Sequence, residues 1–150
     1  MILSAMMPIR HRTELLAETY ALKEATVKSD FPVAFVSFCN DAIQLSRSAR
    51  RRILPQKKQY PFLPAVKIAR LGVLSPFQGK NIGTLLINMS KGMFLRDNRT
   101  GCRFMTVDAY KKPKVINFYQ KNGFAFLSEA DQKKETRSMY FDLKRLAASK

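Results

Sequence analysis

The sequence predicts a mixed α/β domain built around one central sheet with helices on both faces, and three observations predict it. Apolar runs of strand length alternate along the chain with segments whose apolar residues recur at helical spacing. The 150 residues, 46% of them hydrophobic, can bury one sizeable core but hardly a second, so a single domain over 1–150 is expected. Between residues 66 and 97 an apolar run, a Pro-broken turn, a glycine-bearing loop and a helical pattern follow one another directly, which reads as strand, tight turn, helix.

Taken in order, residues 1–12 begin with a few apolar residues and then Arg10, His11 and Arg12, too short for the apolar stretch of a secretion signal and flanked in the wrong order. Residues 13–25 place Leu15, Leu16, Thr19, Leu22 and Ala25 on one helical stripe, so a helix is expected. The competing reading breaks near Glu18 and makes 20–25 a strand, pairing back across Lys28-Ser29-Asp30 onto the next segment. That segment, 32–39 (P-V-A-F-V-S-F-C), is β-branched and aromatic and reads as a strand buried on both faces, ended by the turn pair Asn40-Asp41. Residues 44–64 are polar and basic and carry Pro55, Pro61 and Pro64, which reads as a long irregular loop of functional use.

A strand over 66–74 follows, then a helix from Ile82 to about Asp97 with Ile82, Leu85, Leu86, Met89, Met93 and Phe94 at its apolar positions. Asn98-Arg99-Thr100-Gly101 turns the chain into a strand over 102–109. Pro113 suits the first turn of a short helix carrying Val115, Ile116, Phe118 and Tyr119, and Asn122-Gly123 closes it. Two last strands, 124–127 and 139–143, flank a charged turn over 128–137.

Composition narrows the chemistry. The single His11 excludes a His-based catalytic triad and a His-rich metal site, and no metal is expected. Cys39 and Cys102 sit in apolar runs, where a cysteine is usually a small buried hydrophobe, so no disulfide is expected. No apolar run approaches the roughly 18 residues of a membrane span, and a cytoplasmic protein without membrane contact, monomer or homodimer, is expected. Lys and Arg number 27 against 11 Asp and Glu, a net charge of +16, and no acid occurs between Asp41 and Asp97. That interval holds eleven basic residues, among them Arg47, Arg50, Arg51, Arg52, Lys57 and Lys58 in or near R-S-A-R-R-R. Two readings stand side by side: a solvated basic face, or a surface for a polyanion such as tRNA.

The turn before the helix is the most specific local feature. Gly79 and Gly83 let backbone approach a ligand closely, and a loop entering a helix aims successive N–H groups and the positive end of the helix dipole at one point, as a pyrophosphate needs. It is neither of two better-known phosphate loops. Gly79-Lys80 is followed by Asn81 rather than Ser or Thr at the close of a Walker pattern, and there is no G-x-G-x-x-G with an acid suitably downstream.

Gln78-Gly79-Lys80-Asn81-Ile82-Gly83 resembles the acetyl-CoA loop of the GNAT N-acetyltransferase superfamily, Gln/Arg-x-x-Gly-x-Gly/Ala, with Asn81 where the family has its first glycine. Asn is the non-glycine residue that best tolerates positive φ. Phe118 to Phe124, F-Y-Q-K-N-G-F, resembles a second signature of the same superfamily, a helix ending in Tyr-x-x-x-Gly-Phe before a strand. The resemblance implies a GNAT-like fold and transfer of an acetyl group from acetyl-CoA to a primary amine. It implies that Gln78, Gly79, Lys80, Asn81, Ile82, Gly83 and Thr84 bind the pyrophosphate and that the strand end at Leu71, Val73 and Leu74 pairs with the pantetheine and polarises the thioester. Lys112 and Asn117 then lie at and within the second helix, Lys112 standing where the family often has Asn to touch the coenzyme. Tyr119 is implied as the acid that protonates the departing thiolate. Asp108 is a candidate base or a structural ion-pair partner, and a water relay would need no base.

Residues 64–73 with C-R-F-M-T-V-D-A-Y and F-Y-Q-K-N-G-F look most like the subgroup that includes toxins acetylating the amino group of aminoacyl-tRNA. Small-molecule and protein N-acetyltransferases share the scaffold, and a basic domain that has lost catalysis and only binds nucleic acid is the reading from a different class.

Overall fold

The computed structural model describes residues 2–5, 13–24, 31–54, 60–96, 98 and 100–147. Seven strands, β1 (Ile2–Ala5), β2 (Glu18–Lys23), β3 (Ala34–Ile43), β4 (Leu63–Val73), β5 (Phe104–Tyr110), β6 (Ala125–Phe126) and β7 (Thr136–Asp142), lie in the sheet order β1-β2-β3-β4-β5-β7-β6. Among the described residues four α-helices accompany them: α1 (Arg47–Ile53), α2 (Ile82–Arg96), α3 (Pro113–Lys121) and α4 (Lys144–Ala147). The chain divides into two compact units, Met1–Asn40 with Lys67–Asp97 and Asp41–Val66 with Asn98–Lys150.

In the first unit, β2 pairs antiparallel with β1 on one side and with β3 on the other, in the register Ala21↔Phe35. The helix expected over 13–25 is therefore a strand from Glu18, the competing reading. Leu15 and Leu16, which would have anchored the helical stripe, are 91% and 64% exposed, whereas β2 buries Ala21 and Leu22 and finds hydrogen-bond partners along both edges. The pairing outweighs a helical pattern that is only moderately apolar. β1 is a strand that four residues are too few to announce. α2 forms where the spacing places it, burying Ile82, Leu86 and Ile87. It lays Phe94 edge-on against Phe38, 5.0 Å between ring centroids, while Tyr20 packs 6.0 Å from the same ring. On the opposite side of β3 the Phe35 ring packs against Gly72, where a Cβ would come within 2.6 Å of it.

In the second unit, β5 and β7 pair antiparallel from Phe104↔Asp142 to Tyr110↔Thr136, and β6 adds Ala125↔Tyr140. The starts of β4 and β5 lie together, Arg103 N donating to Pro64 O at 3.1 Å. β3 does not stop at Asn40-Asp41 but continues to Ile43. Asp41 spends its carboxylate on the Ala42 amide and on the Thr106 hydroxyl, 2.6 Å away, instead of on a turn.

Residues 44–64, expected to be irregular, contain α1 and the first residues of β4. Ser46 caps the helix by accepting from Ala49 N at 3.2 Å, and Ala49, Ile53 and Leu54 pack on a core of Ile43, Leu45, Leu63, Ala65 and Phe104. α3 starts at Pro113 as its sequence predicts and closes through Asn122 into Gly123, whose φ of 84° suits glycine. The charged turn before β7 is held by Arg137, which donates to Asp131 at 2.7 Å and sits 4.0 Å over the Phe126 ring. Cys102 is buried, Cys39 is half-buried and neither is in a disulfide.

Candidate active site

The loop of the first unit is built by its own turn. After β4 the chain leaves the sheet through a 3-10 turn, Ser75–Phe77, with Phe77 N donating to Leu74 O at 2.8 Å and Gln78 N to Ser75 O at 3.2 Å. Gln78 then reaches back, Nε2 donating to Val73 O at 3.0 Å, and stitches the loop to the strand that feeds it. Gly79 has φ of 76° and Asn81 has φ of 59°, so both take the left-handed conformation. A Cβ at Gly79 would meet nothing within 4 Å; the backbone angle, and not space, favours glycine there. Asn81 meets the same demand with a side chain that tolerates it.

The first intrahelical bond of α2 is Leu85 N to Asn81 O at 2.9 Å, so the amides of Ile82 and Gly83 precede the i→i−4 ladder and point out of the helix end. Ile82 is buried and roots the loop, while Gln78, Gly79, Lys80 and Asn81 are exposed and Gly83 and Thr84 are half-buried. Lys80 Nζ lies 5.4 Å over the Phe77 ring. Leu71 and Val73 are half-buried and Leu74 is exposed. Leu74 N donates to Val33 O at 2.9 Å and Leu74 O accepts from Phe77, so the amide expected to serve a ligand is already committed inside the unit.

In the second unit, α3 buries Tyr119. Its ring is flanked edge-on by Phe118 and Phe124, at 5.0 Å and 5.5 Å, and Phe124 packs in turn on Phe141 at 5.8 Å. Burial in this aromatic setting pushes the phenol up to about 12. Lys112, at the cap of α3, and Asn117, within it, are both exposed, and Lys112 makes no side-chain cap.

Asp108 is exposed, and its Oδ1 accepts from the Ser138 hydroxyl at 2.8 Å. Strand alternation places it away from Tyr119. Phe141, opposite Met105, carries the Phe124–Tyr119 stack on one face, whereas Asp108 and its partner Ser138 belong to the other, along with Tyr140 and the core under α1. The two residues, near in sequence, are thus separated by the sheet.

On α1, Arg47, Arg51 and Arg52 are exposed. Arg50 is half-buried, donates from Nη1 to Tyr60 O at 3.2 Å and keeps a buried Nε with no hydrogen-bond partner. Lys57 and Lys58 lie outside the described residues. Tyr60 and Phe62, 50% and 60% exposed, flank the entry to β4. Aromatic residues inside a basic segment are a signal the sequence carries. Among the described residues no cluster of three or more His, Cys, Asp or Glu could hold a metal ion, and no helix is long and apolar enough to cross a membrane.

Residues 34–125 match the family model of the acetyltransferase (GNAT) domain. No curated protein matches the sequence. Among solved structures, AtaT complexed with acetyl-methionyl-tRNAfMet aligns with a TM-score of 0.76 at 18% identity, over 94% of this chain and 79% of that one. AtaTR bound with AcCoA gives 0.72 at 18% identity, over 95% and 79%. A bacterial toxin gives 0.73 at 16% identity, over 99% and 94%. At these identities the likeness is one of fold. The family model spans more than half of the sequence, including both the glycine loop and Tyr119, and this chain belongs to the GNAT acetyltransferase family.

Proposed function

We propose that this protein transfers the acetyl group of acetyl-CoA to the amino group of an aminoacyl-tRNA. The observation that carries the choice of acceptor is α1. It sets Arg47, Arg51 and Arg52 on the surface in an interval that carries eleven basic residues and no acid, more positive charge than a coenzyme's few phosphates use. AtaT, of the same fold, has a solved structure complexed with acetyl-methionyl-tRNAfMet.

The loop fits the coenzyme's pyrophosphate on its own geometry. Two left-handed residues curve the backbone, and the leading amides of α2 face outward with the positive end of the helix behind them. The amides of Ile82 and Gly83 would hold the pyrophosphate, and Lys80 would add a cation beside it. Acetyl-CoA, when bound, supplies a thioester open to attack by an amine. Tyr119 keeps its proton to about pH 12 and so stands ready, at neutral pH, to give it to a departing thiolate. The pocket that raises the phenol disfavours a thiolate for the same reason, which narrows the difference between donor and acceptor. Asp108 faces away from that pocket, so a water relay is the simpler route for the amine's proton.

The test is direct. With labelled acetyl-CoA, label should appear on charged tRNA and be released as N-acetyl amino acid when the ester is hydrolysed by mild base. Uncharged tRNA should take none. Label found only on free amines or on protein would overturn the aminoacyl-tRNA acceptor.

A further inference from the structure

We infer that Tyr60 and Phe62 form a stacking platform for unpaired bases, so that the RNA held by the arginines of α1 is gripped at a single-stranded segment; this rests on the RNA reading above. A lone exposed ring on a protein surface needs no explanation. Here two lie two residues apart, 50% and 60% exposed, in the stretch that leads into β4. They are held in place on both sides. Arg50 of α1 donates to Tyr60 O at 3.2 Å, and Leu63, directly after Phe62, is buried in the core beneath α1.

The surroundings point to nucleic acid in preference to a protein partner. The centre of a protein interface is depleted of charge, whereas these rings follow the arginines of α1 in a stretch of sequence without an acid, and Arg50 ties that helix to the Tyr60 backbone. Rings interleaved with cations are what a single strand needs: arginine for the phosphates and an aromatic face for each base, whatever its identity. A duplex offers the same phosphates but keeps its bases inside, so the platform discriminates in favour of unpaired nucleotides.

The experiment uses the full chain and two fluorescein-labelled probes of equal phosphate number, an unstructured single-stranded RNA of about 24 nucleotides and an RNA duplex of about 12 base pairs, read by anisotropy. Tyr60→Ala with Phe62→Ala should weaken single-strand binding by roughly tenfold or more, leave its salt dependence unchanged and alter duplex binding by less than about twofold. Tyr60→Trp with Phe62→Trp should retain single-strand binding, which separates loss of stacking from loss of fold. Equal losses for both probes, no loss for either, or failure of the Trp pair to bind would overturn the platform. If the parent binds no RNA of either kind, the RNA reading falls and the platform with it. If the parent acetylates charged tRNA while the alanine pair binds as well as the parent, the platform alone is wrong.

Discussion

Asn81 shows how a residue can depart from a motif and still satisfy it. The loop needs a left-handed backbone at that position, and Asn81 supplies it at φ 59°. From the sequence the departure could be seen and its tolerance argued, but the dihedral itself depends on the 3-10 turn and on Gln78 reaching back to Val73, which no pattern reveals. Asn81→Gly should therefore leave coenzyme affinity intact. Asn81→Val should cost about 1–2 kcal/mol and weaken coenzyme binding, measured by calorimetry with thermal denaturation as the control. Equal affinity for both variants would show that the left-handed angle is not required. At Tyr119 the sequence offered a Tyr-x-x-x-Gly-Phe signature with Phe118 and Phe124, the two rings that flank the phenol; it did not show Phe141, which backs Phe124 where β6 pairs with β7. Tyr119→Phe should lower turnover by roughly 10²-fold with coenzyme affinity nearly unchanged. Because burial raises the phenol from 10.0 to about 12, the donor stays protonated, and no basic limb from Tyr119 should enter the pH–rate profile below that range. The same shift favours the fold at pH values below about 10 and is lost as pH climbs toward 12.

At the scale of elements, the helices α2 and α3 and the strands β3 to β7 were legible from their apolar patterns, whereas β1 and α1 were not and β2 only as the competing reading. α2 and α3 begin where their sequences say, at Ile82 and Pro113. β2 was masked by a helical stripe whose first two leucines, Leu15 and Leu16, turn out to be exposed, and α1 by three prolines and by arginines that outnumber its apolar residues. Its signals were Ser46 at the cap and Ala49, Ile53 and Leu54 on one side, a pattern seven residues long. Ser46→Ala should cost about 1 kcal/mol in denaturant unfolding through loss of the cap. Gly72 is a clearer case of an element imposing a residue. Gly72→Ala should destabilise by about 1–3 kcal/mol, since the new Cβ meets the Phe35 ring at 2.6 Å. In a Phe35→Ala background most of that cost should vanish; equal costs in the two backgrounds would mean that the ring is not what excludes a side chain at Gly72.

For the molecule as a whole, the net charge of +16 was readable at once, while the distribution that gives it meaning was not. Sequence grouped Arg47, Arg50, Arg51 and Arg52 as one block. Folding sorts them, turning Arg50 inward to hold Tyr60 and leaving the other three on the surface. That sorting changes which substitutions test RNA binding, because Arg50→Ala would disturb the path into β4 as well as remove a charge. Arg47→Ala, Arg51→Ala and Arg52→Ala together remove three phosphate contacts. At about 0.7 to 0.9 units of slope per contact, the dependence of log affinity for tRNA on log salt should flatten by roughly two to three units. Acetyl-CoA affinity should hardly change, since its phosphates are assigned to the loop before α2. A solvated basic face would behave otherwise: each lost charge would shift affinity slightly through the mean field, with little change in slope and no difference between charged tRNA and a small amine as acceptor. Acetyl transfer to charged tRNA that is undiminished in the triple variant at 0.15 M salt would remove α1 from the acceptor site and return the arginines to that reading.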